Sequence, residues 1–394
     1  MRVLIAVETH FYKTPDGTIW TEAQNDKEFW GRYLEVFKEV HVLARVANVS
    51  EYNIKWKRAN GDNVLFHQLP NYTGPYEYIQ KLSKIKREIK IAILNCDVAI
   101  LRVAGAISTL AWRELKRKSI PFGVEVCGDP WESLKPGTVK SFTRPLARLM
   151  STVNLKKQCK EAITSSYVTK ETLQKRYPPK KGTYTCGISD VNLPEEAYLK
   201  KIPSTSNISL RILNVGSMET LYKAQNIQLM AIKVCVEKGL DVHLQLIGEG
   251  RCRPQFESLA KELGVEDYVD FLGMISGAEE VRKYLDSADL FIMPSMVEGL
   301  PRALVEAMAR SVPCIATNVG GIPELLPLEN LIKPNDYMEL ASKIETLIND
   351  KEKLKIMGET NYFKAMEFNS SSLSEQRRGF YGNLFNKAMM DRRK

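Results

Sequence analysis

Residues 288–309 read Ala288-Asp-Leu-Phe-Ile-Met-Pro-Ser-Met-Val-Glu-Gly-Leu-Pro-Arg-Ala-Leu-Val-Glu-Ala-Met-Ala309. The opening run is apolar, of strand length, and closed by Pro294 and Ser295. Pro301 suits the first turn of a helix, where its missing N–H costs nothing, and Ala303, Leu304, Val305, Ala307, Met308 and Ala309 carry the helix onward. The stretch is therefore a strand, a turn freed by Gly299, and a helix that starts near Leu300. Two carboxylates, Glu298 and Glu306, bracket the junction with seven residues between them. The first turn of a helix leaves N–H groups unpaired, and with the macrodipole they attract phosphate. Gly299 lets a ligand approach the backbone closely, so a diphosphate fits against Gly299, Leu300 and Pro301. Glu298 precedes the turn, within reach of a sugar hydroxyl. Glu306 lies about a turn and a half inside the helix and can accept hydrogen bonds from a ribose diol. A bare pair of glutamates at this spacing is more often simply solvated, so the neighbouring sequence decides.

Outward from this junction, strand and helix patterns alternate twice over. The sequence predicts strands at Arg2 to Val7, Val40 to Ala47, Val64 to Leu69, Val98 to Val103, Phe122 to Cys127 and Ala162 to Ser166. A second series follows at Ile212 to Val215, Val242 to Ile247, Val269 to Leu272, Leu290 to Met293 and Cys314 to Ala316, with helices near 225–238, 253–263, 278–286 and 301–310. Such alternation demands right-handed crossovers and parallel sheets covered on both faces, giving an α/β chain of two Rossmann-like domains. Pro194, Pro203 and the polar run Ser204 to Asn207 interrupt the periodicity and set the boundary at about residue 203.

Composition permits this and decides little alone. A chain of 394 residues with 44% hydrophobic content is too long for one ordinary core and too apolar for disorder. No apolar run approaches the ~20 residues of a membrane span, and Met1 to Glu8 is too short and too soon acidic for a secretory signal, so a cytoplasmic protein is expected. The seven cysteines are scattered with no C-x-x-C pair, as expected of buried thiols in a reducing compartment. No Asp-x-Asp sequence and no dense His or Cys cluster appears, so no metal or other cofactor is expected. The net charge of +9 suits anionic nucleotide sugars, anionic lipid surfaces or nucleic acid. Near 79–90, Ile79, Leu82, Ile85 and Ile89 recur at helical spacing among Lys81, Lys84, Arg87 and Lys90. Two readings stand: a helix packed on its sheet with a solvated basic face, or a basic amphipathic helix resting peripherally on a membrane.

Glu298 to Glu306, followed by Pro313-Cys-Ile-Ala-Thr-Asn-Val-Gly-Gly-Ile-Pro-Glu-Leu-Leu326, closely resembles the donor half of glycosyltransferase family 4. The likeness also takes in Leu213 to Ser217, Leu221 to Ala224, Leu246 to Gly250 and Val269 to Gly273, in order. It implies the GT-B fold, with two Rossmann-like domains facing across a cleft that holds the active site. The divisions are 1–203 for the acceptor, 204–371 for the nucleotide sugar, and 372–394 as a helix packing back on the first domain. The implied reaction is retaining transfer of a hexosyl unit from a nucleoside diphosphate sugar, UDP favoured and GDP allowed, to an acceptor hydroxyl in glycan, glycolipid or natural-product synthesis. No nucleic acid is expected as a partner. Glu298 is assigned to sugar hydroxyls and Glu306 to ribose. Lys223 matches the family's diphosphate lysine, while Ser217, after Gly216, stands where an arginine is common and Ala224 where a glycine is usual. Cationic charge on the leaving group then rests on Lys223 with Arg302 or Arg253. Gly248-Glu249-Gly250 passes near the nucleotide, and the strand end at Leu272 reads the base through its main chain.

On the acceptor side, Phe122-Gly-Val-Glu-Val-Cys-Gly-Asp-Pro-Trp131 ends a strand. Gly128 and Asp129 occupy the region where many family members place a histidine. Asp129 is the candidate for a sugar or acceptor hydroxyl and Trp131 for stacking on a sugar face, against the plainer reading of an Asp-Pro turn with a core tryptophan. Arg102 is a further acceptor-side candidate. The loop Thr9 to Glu22, with Gly17, is expected to close on the donor phosphates. Three competitors are an epimerase or hydrolase on the same fold, a phosphorylase, and a non-catalytic basic protein binding RNA or membrane.

Overall fold

The computed structural model describes residues 1–23, 25–136, 142–191, 193–200 and 209–392. The boundary expected near residue 203 lies outside the described residues. The chain forms two compact units. One comprises Met1–Trp131, Thr143–Ile188 and the chain from Ser374 onward, the other Glu132–Phe142 and Ser189–Leu373.

The strands of the first unit are β1 (Arg2–Lys13), β2 (Ile19–Thr21), β3 (Glu39–Asn48), β4 (Lys57–Arg58), β5 (Val64–Pro70), β6 (Val98–Val103), β7 (Phe122–Val126), β8 (Thr164–Tyr167) and β9 (Tyr184–Gly187). Seven of them pair in parallel in the order β5-β3-β1-β6-β7-β8-β9. The order reverses direction between β1 and β6, which makes that gap a topological switch point. Continuous apolar runs such as Val3 to Val7 and Val98 to Leu101 are fully or nearly fully buried, as strands covered on both faces must be.

β1 runs beyond its expected end, and Tyr12 and Lys13 pair antiparallel with Trp20 and Ile19. The tight connection is Thr14-Pro-Asp-Gly17, in which Thr14 N–H donates to the Thr18 carbonyl at 3.0 Å. Asp16 accepts from the hydroxyls of Thr14 and Thr18, which hold its carboxyl down at about 2. The segment expected as a phosphate-closing loop is thus a hairpin, and Gly17 supplies its turn at φ +85°.

The second unit carries β10 (Leu210–Val215), β11 (Val242–Ile247), β12 (Val269–Gly273), β13 (Leu290–Met293), β14 (Cys314–Thr317) and β15 (Leu331–Ile332). All pair in parallel in the order β12-β11-β10-β13-β14-β15, so the switch point falls between β10 and β13. Helices Gln225–Glu237, Arg253–Leu263 and Ala278–Ser287 match their predicted positions to within a residue, because Gly264 and the Ser287-Ala288 junction end the periodic stretches cleanly. Two helices not predicted, Tyr337–Ile348 and Lys351–Ala365, start at Asp336 and Asp350, whose side chains cap the N–H groups of Glu339 and Lys353.

The helix near 79–90 is Gly74–Leu94, and its Ile85, Ile89, Ala92 and Ile93 face the core. The packed-on-the-sheet reading accounts for these four, whereas Ile79 of the expected stripe is exposed. The closing helix, Ser370–Arg392, buries Phe380, Tyr381, Leu384 and Ala388. Tyr381 hydroxyl donates to Glu125 Oε1 at 3.0 Å, and Tyr33 hydroxyl donates to Oε2 of the same carboxylate at 3.1 Å. A buried carboxylate deprived of a donor loses more than an exposed one, so Tyr381→Phe is expected to destabilise the first unit by about 1.5–3 kcal/mol. Urea unfolding of wild type and variant checks this, and an unchanged midpoint contradicts it.

Candidate active site

In an open α/β sheet, ligands bind beyond the strand C-termini at the switch point. In the second unit those termini are the segments after β10 and β13, and they are tied together. Met296 N–H donates to the Tyr222 carbonyl at 2.7 Å, and Lys223 Nζ lies 2.6 Å from Glu298 Oε1. Both side chains of that ion pair are largely buried. The next loops close over them. Gly320 sits at φ +55°, and a Cβ there would fall 1.9 Å from the Glu298 carbonyl oxygen. Gly321 N–H donates to the Gly299 carbonyl at 2.7 Å. On the other side a Cβ on Gly248 would fall 2.0 Å from the Gly216 carbonyl oxygen. Gly248, Gly250 and Gly320 thus let the loops meet backbone to backbone and fix where Glu298 and Lys223 stand.

The helix after β13 is Arg302–Ala309, with Pro301 as its N-cap and no side-chain capping bond. Its first N–H groups therefore face the loop Glu298-Gly299-Leu300 without an internal acceptor from a side chain. Glu306 pairs with Arg302 one turn earlier, Nε to Oε1 at 2.7 Å, which leaves Oε2 for another donor. Arg253 is tied three ways: to Glu249, to Glu257 at 2.7 Å, and to the Phe271 carbonyl at 3.0 Å. Its charge is neutralised in place, and so is that of Glu249. Lys223, paired with Glu298, and Arg302, the first residue of the helix, stand beside the turn Glu298-Gly299-Leu300. At the edge of the sheet, β12 pairs Phe271 with Leu246 and Gly273 with Ile247, so Leu272 sits in a bulge with its main chain off the ladder. Ser217 is exposed, and its hydroxyl accepts from Glu219 N–H at 3.2 Å.

The first unit is built differently at its own switch point. Glu8, within the bulge in β1, accepts at Oε1 from Ile107 N–H at 2.7 Å. Its carboxylate occupies the start of the helix Ala106–Arg117, and burial pushes its pKa up against the pull of that hydrogen bond. A Cβ on Gly105 would collide with it at 2.2 Å. The anion position used for phosphate in such folds is filled here by the protein itself, whereas the second unit leaves it open.

Three of the acceptor-side candidates, Asp129, Trp131 and Arg102, have partners within the protein. Asp129 is nearly buried, pairs with Arg176, accepts from the Tyr177 hydroxyl, and takes Trp131 N–H at 2.9 Å. The Asp-Pro turn reading describes it, with the carboxylate clamping the turn to the helix Thr172–Arg176. Burial, then the bond to Asp129, raises the Tyr177 pKa. Trp131 is partly exposed with Arg148 over its ring at 3.7 Å. Arg102 pairs with Glu125, the carboxylate that also holds Tyr33 and Tyr381. Gly128 faces open space. Sequence reasoning missed Glu8 and Lys135. Lys135 donates from Nζ to the Met296 carbonyl at 2.6 Å, and neither residue carries a local motif. Among the described residues, no group of three or more His, Cys, Asp or Glu is placed to hold a metal ion.

A family model described as Glycosyl transferases group 1 matches residues 200–363. The chain is 31% identical to protein CapJ of Staphylococcus aureus over 328 residues, which span 82% of this chain and 81% of CapJ. Its fold is similar to that of sucrose-phosphate synthase from Thermosynechococcus elongatus, with TM-score 0.71 at 17% identity over 98% of this chain and 100% of that one. It is also similar to HepE of Anabaena, solved in complex with UDP-glucose, with TM-score 0.65 at 16% identity over 96% and 98% of the two chains. The chain belongs to the group 1 glycosyltransferases, and its two Rossmann-like units are those of the GT-B fold.

Gly320→Ala adds a methyl group where backbone already sits, at a left-handed φ. The expected cost is about 2–4 kcal/mol with displacement of the Glu298 loop. Thermal denaturation reads the stability loss, and a melting temperature equal to wild type contradicts the packing described.

Proposed function

We propose that the chain transfers a hexosyl unit from a nucleoside diphosphate sugar to an acceptor hydroxyl with retention at the anomeric carbon, in glycan or polysaccharide synthesis. The observation that carries this reading is the Lys223–Glu298 pair, which spans the switch point beside a helix N-terminus with no side-chain cap. The diphosphate takes the N–H groups of Leu300, Arg302 and Ala303 and draws Lys223 to its oxygens. Glu298, released from that contact, turns to the sugar hydroxyls, and Glu306 takes the ribose diol through its free oxygen. The bond from the anomeric carbon to the diphosphate oxygen breaks with its electron pair on the leaving group. The acceptor oxygen bonds to that carbon, and its proton passes to the departing diphosphate. Charge on the leaving group is met by fixed N–H dipoles and Lys223, so the chemistry asks for preorganised donors rather than a protein nucleophile or a resident cofactor. The bulge at Leu272 presents main-chain groups suited to a base edge. UDP is the favoured carrier because HepE, which shares the fold, was solved with UDP-glucose.

Two variants separate the roles. Glu306→Ala removes only a half-exposed i,i+4 pair worth about 0.3–0.5 kcal/mol, so it is expected to melt near wild type while binding nucleotide about tenfold or more weakly. Lys223→Ala is expected to slow transfer about 100-fold or more. It also costs about 1–3 kcal/mol of stability, because Glu298 is left buried without its cation. The direct check is a thermal-shift panel of UDP, GDP, ADP and their sugar conjugates on wild type beside Glu306→Ala. One nucleotide should raise the wild-type melting temperature and not that of the variant. A shift that survives in the variant removes the ribose assignment. Nucleotide release without any acceptor, at the rate seen with one, would make the chain a hydrolase.

A further inference from the structure

The helix Arg144–Glu161 buries Thr152, Leu155, Gln158 and Cys159 on one face. Its opposite face is apolar where a solvated helix would be polar. Leu146 is 61% exposed, Leu149 56%, Met150 51% and Val153 40%, and their spacing of three and four residues lines them up as one stripe. Lys156, Lys157 and Lys160 continue that same exposed face over the last turns. Beside the lysines, a shallow cavity of about 520 Å³ lies between this helix and the helix Ala106–Arg117. Trp112, Arg113, Lys116, Arg117, Asn154 and Lys157 line it. Glu161 pairs with Lys116 and Glu114 with Arg117, whereas Arg113 and Lys157 have no ion-pair partner among the described residues. The cavity therefore keeps a surplus of positive charge.

We propose that this face docks the protein on an anionic phospholipid bilayer, with Leu146, Leu149, Met150 and Val153 in the acyl boundary and a headgroup phosphate held by Arg113 and Lys157. The occupant follows from the pairing of an apolar stripe with cations on one exposed face, which matches a surface that is apolar beneath and anionic above. A nucleic acid has no use for the four apolar side chains. A second copy packed with its helix parallel would bring lysine clusters of like charge together. The site differs from the helix Gly74–Leu94, whose Ile85, Ile89, Ala92 and Ile93 are taken up by the core while Ile79, Ile91 and Leu94 stay exposed. It needs neither nucleotide nor acceptor, so its failure leaves the proposed transfer reaction untouched, and the failure of that reaction leaves it standing.

The test is sedimentation of the full chain with vesicles containing phosphatidylglycerol, beside vesicles of phosphatidylcholine alone, without nucleotide. Binding is expected to the anionic vesicles, weakened by salt. It should fall about tenfold or more in Leu149→Glu/Met150→Glu, with melting unchanged because both side chains face solvent. Lys156→Glu/Lys157→Glu should lose the preference for phosphatidylglycerol, which keeps the proposal testable should the first variant fail to fold. The proposal is overturned if wild type stays in solution with anionic vesicles at low salt, or if both variants bind as wild type does. A wild type that elutes as a dimer, with Leu149→Glu/Met150→Glu monomeric, would also overturn it by assigning the face to a second copy.

Discussion

The donor half is governed by how closely its backbones approach one another. Gly320 against the Glu298 carbonyl, and Gly248 against the Gly216 carbonyl, leave no room for even one methyl group. That contact sets the position of the loops after β10 and β13, and hence the 2.6 Å pairing of Lys223 with Glu298. A charged pair held largely out of water is costly unless its geometry is fixed, and the glycine-packed loops supply that rigidity. The same rigidity suits chemistry in which donors must already be in place when charge develops on a leaving diphosphate.

The two units share a strand order and diverge in what their switch points hold. The helix start in the first unit is filled by Glu8, an internal carboxylate anchored to Ile107 N–H. The helix start in the second has Pro301 as cap and offers its N–H groups outward. One architecture thus yields a helix start filled by an internal carboxylate and another without a side-chain cap, the second with the Lys223–Glu298 pair beside it. The buried hub of Glu125 with Arg102, Tyr33 and Tyr381 has another task, holding the closing helix to the first unit.

The second unit was the more legible in sequence because its signals are local. Apolar runs of strand length ended by Pro294, Gly248 or Gly273, and helices opened by Pro254 or Pro301, declare themselves within a few residues. The hairpin after β1 was not read from the sequence, although Thr14-Pro-Asp-Gly is a turn sequence, because the family likeness drew the segment into a ligand loop. Asp129 and Arg102 show the limit. Each is a charged residue at a strand end, and whether it serves a ligand or a partner depends on Arg176, Tyr177 and Glu125, which are brought to it only by the tertiary fold. Glu8 and Lys135 were invisible for the same reason, since their partners Ile107 and Met296 are distant in sequence. The apolar face of Arg144–Glu161 emerged only once burial showed which side of the helix the core had claimed.

The most direct test of the donor site is amide hydrogen exchange on the full chain with and without the nucleotide sugar that binds. The account predicts slowed exchange confined to the loops 216–223 and 248–250, the bulge at Leu272 and the helix start at 300–305. Protection centred instead on the first unit, around Glu8 and the start of the helix Ala106–Arg117, would contradict it.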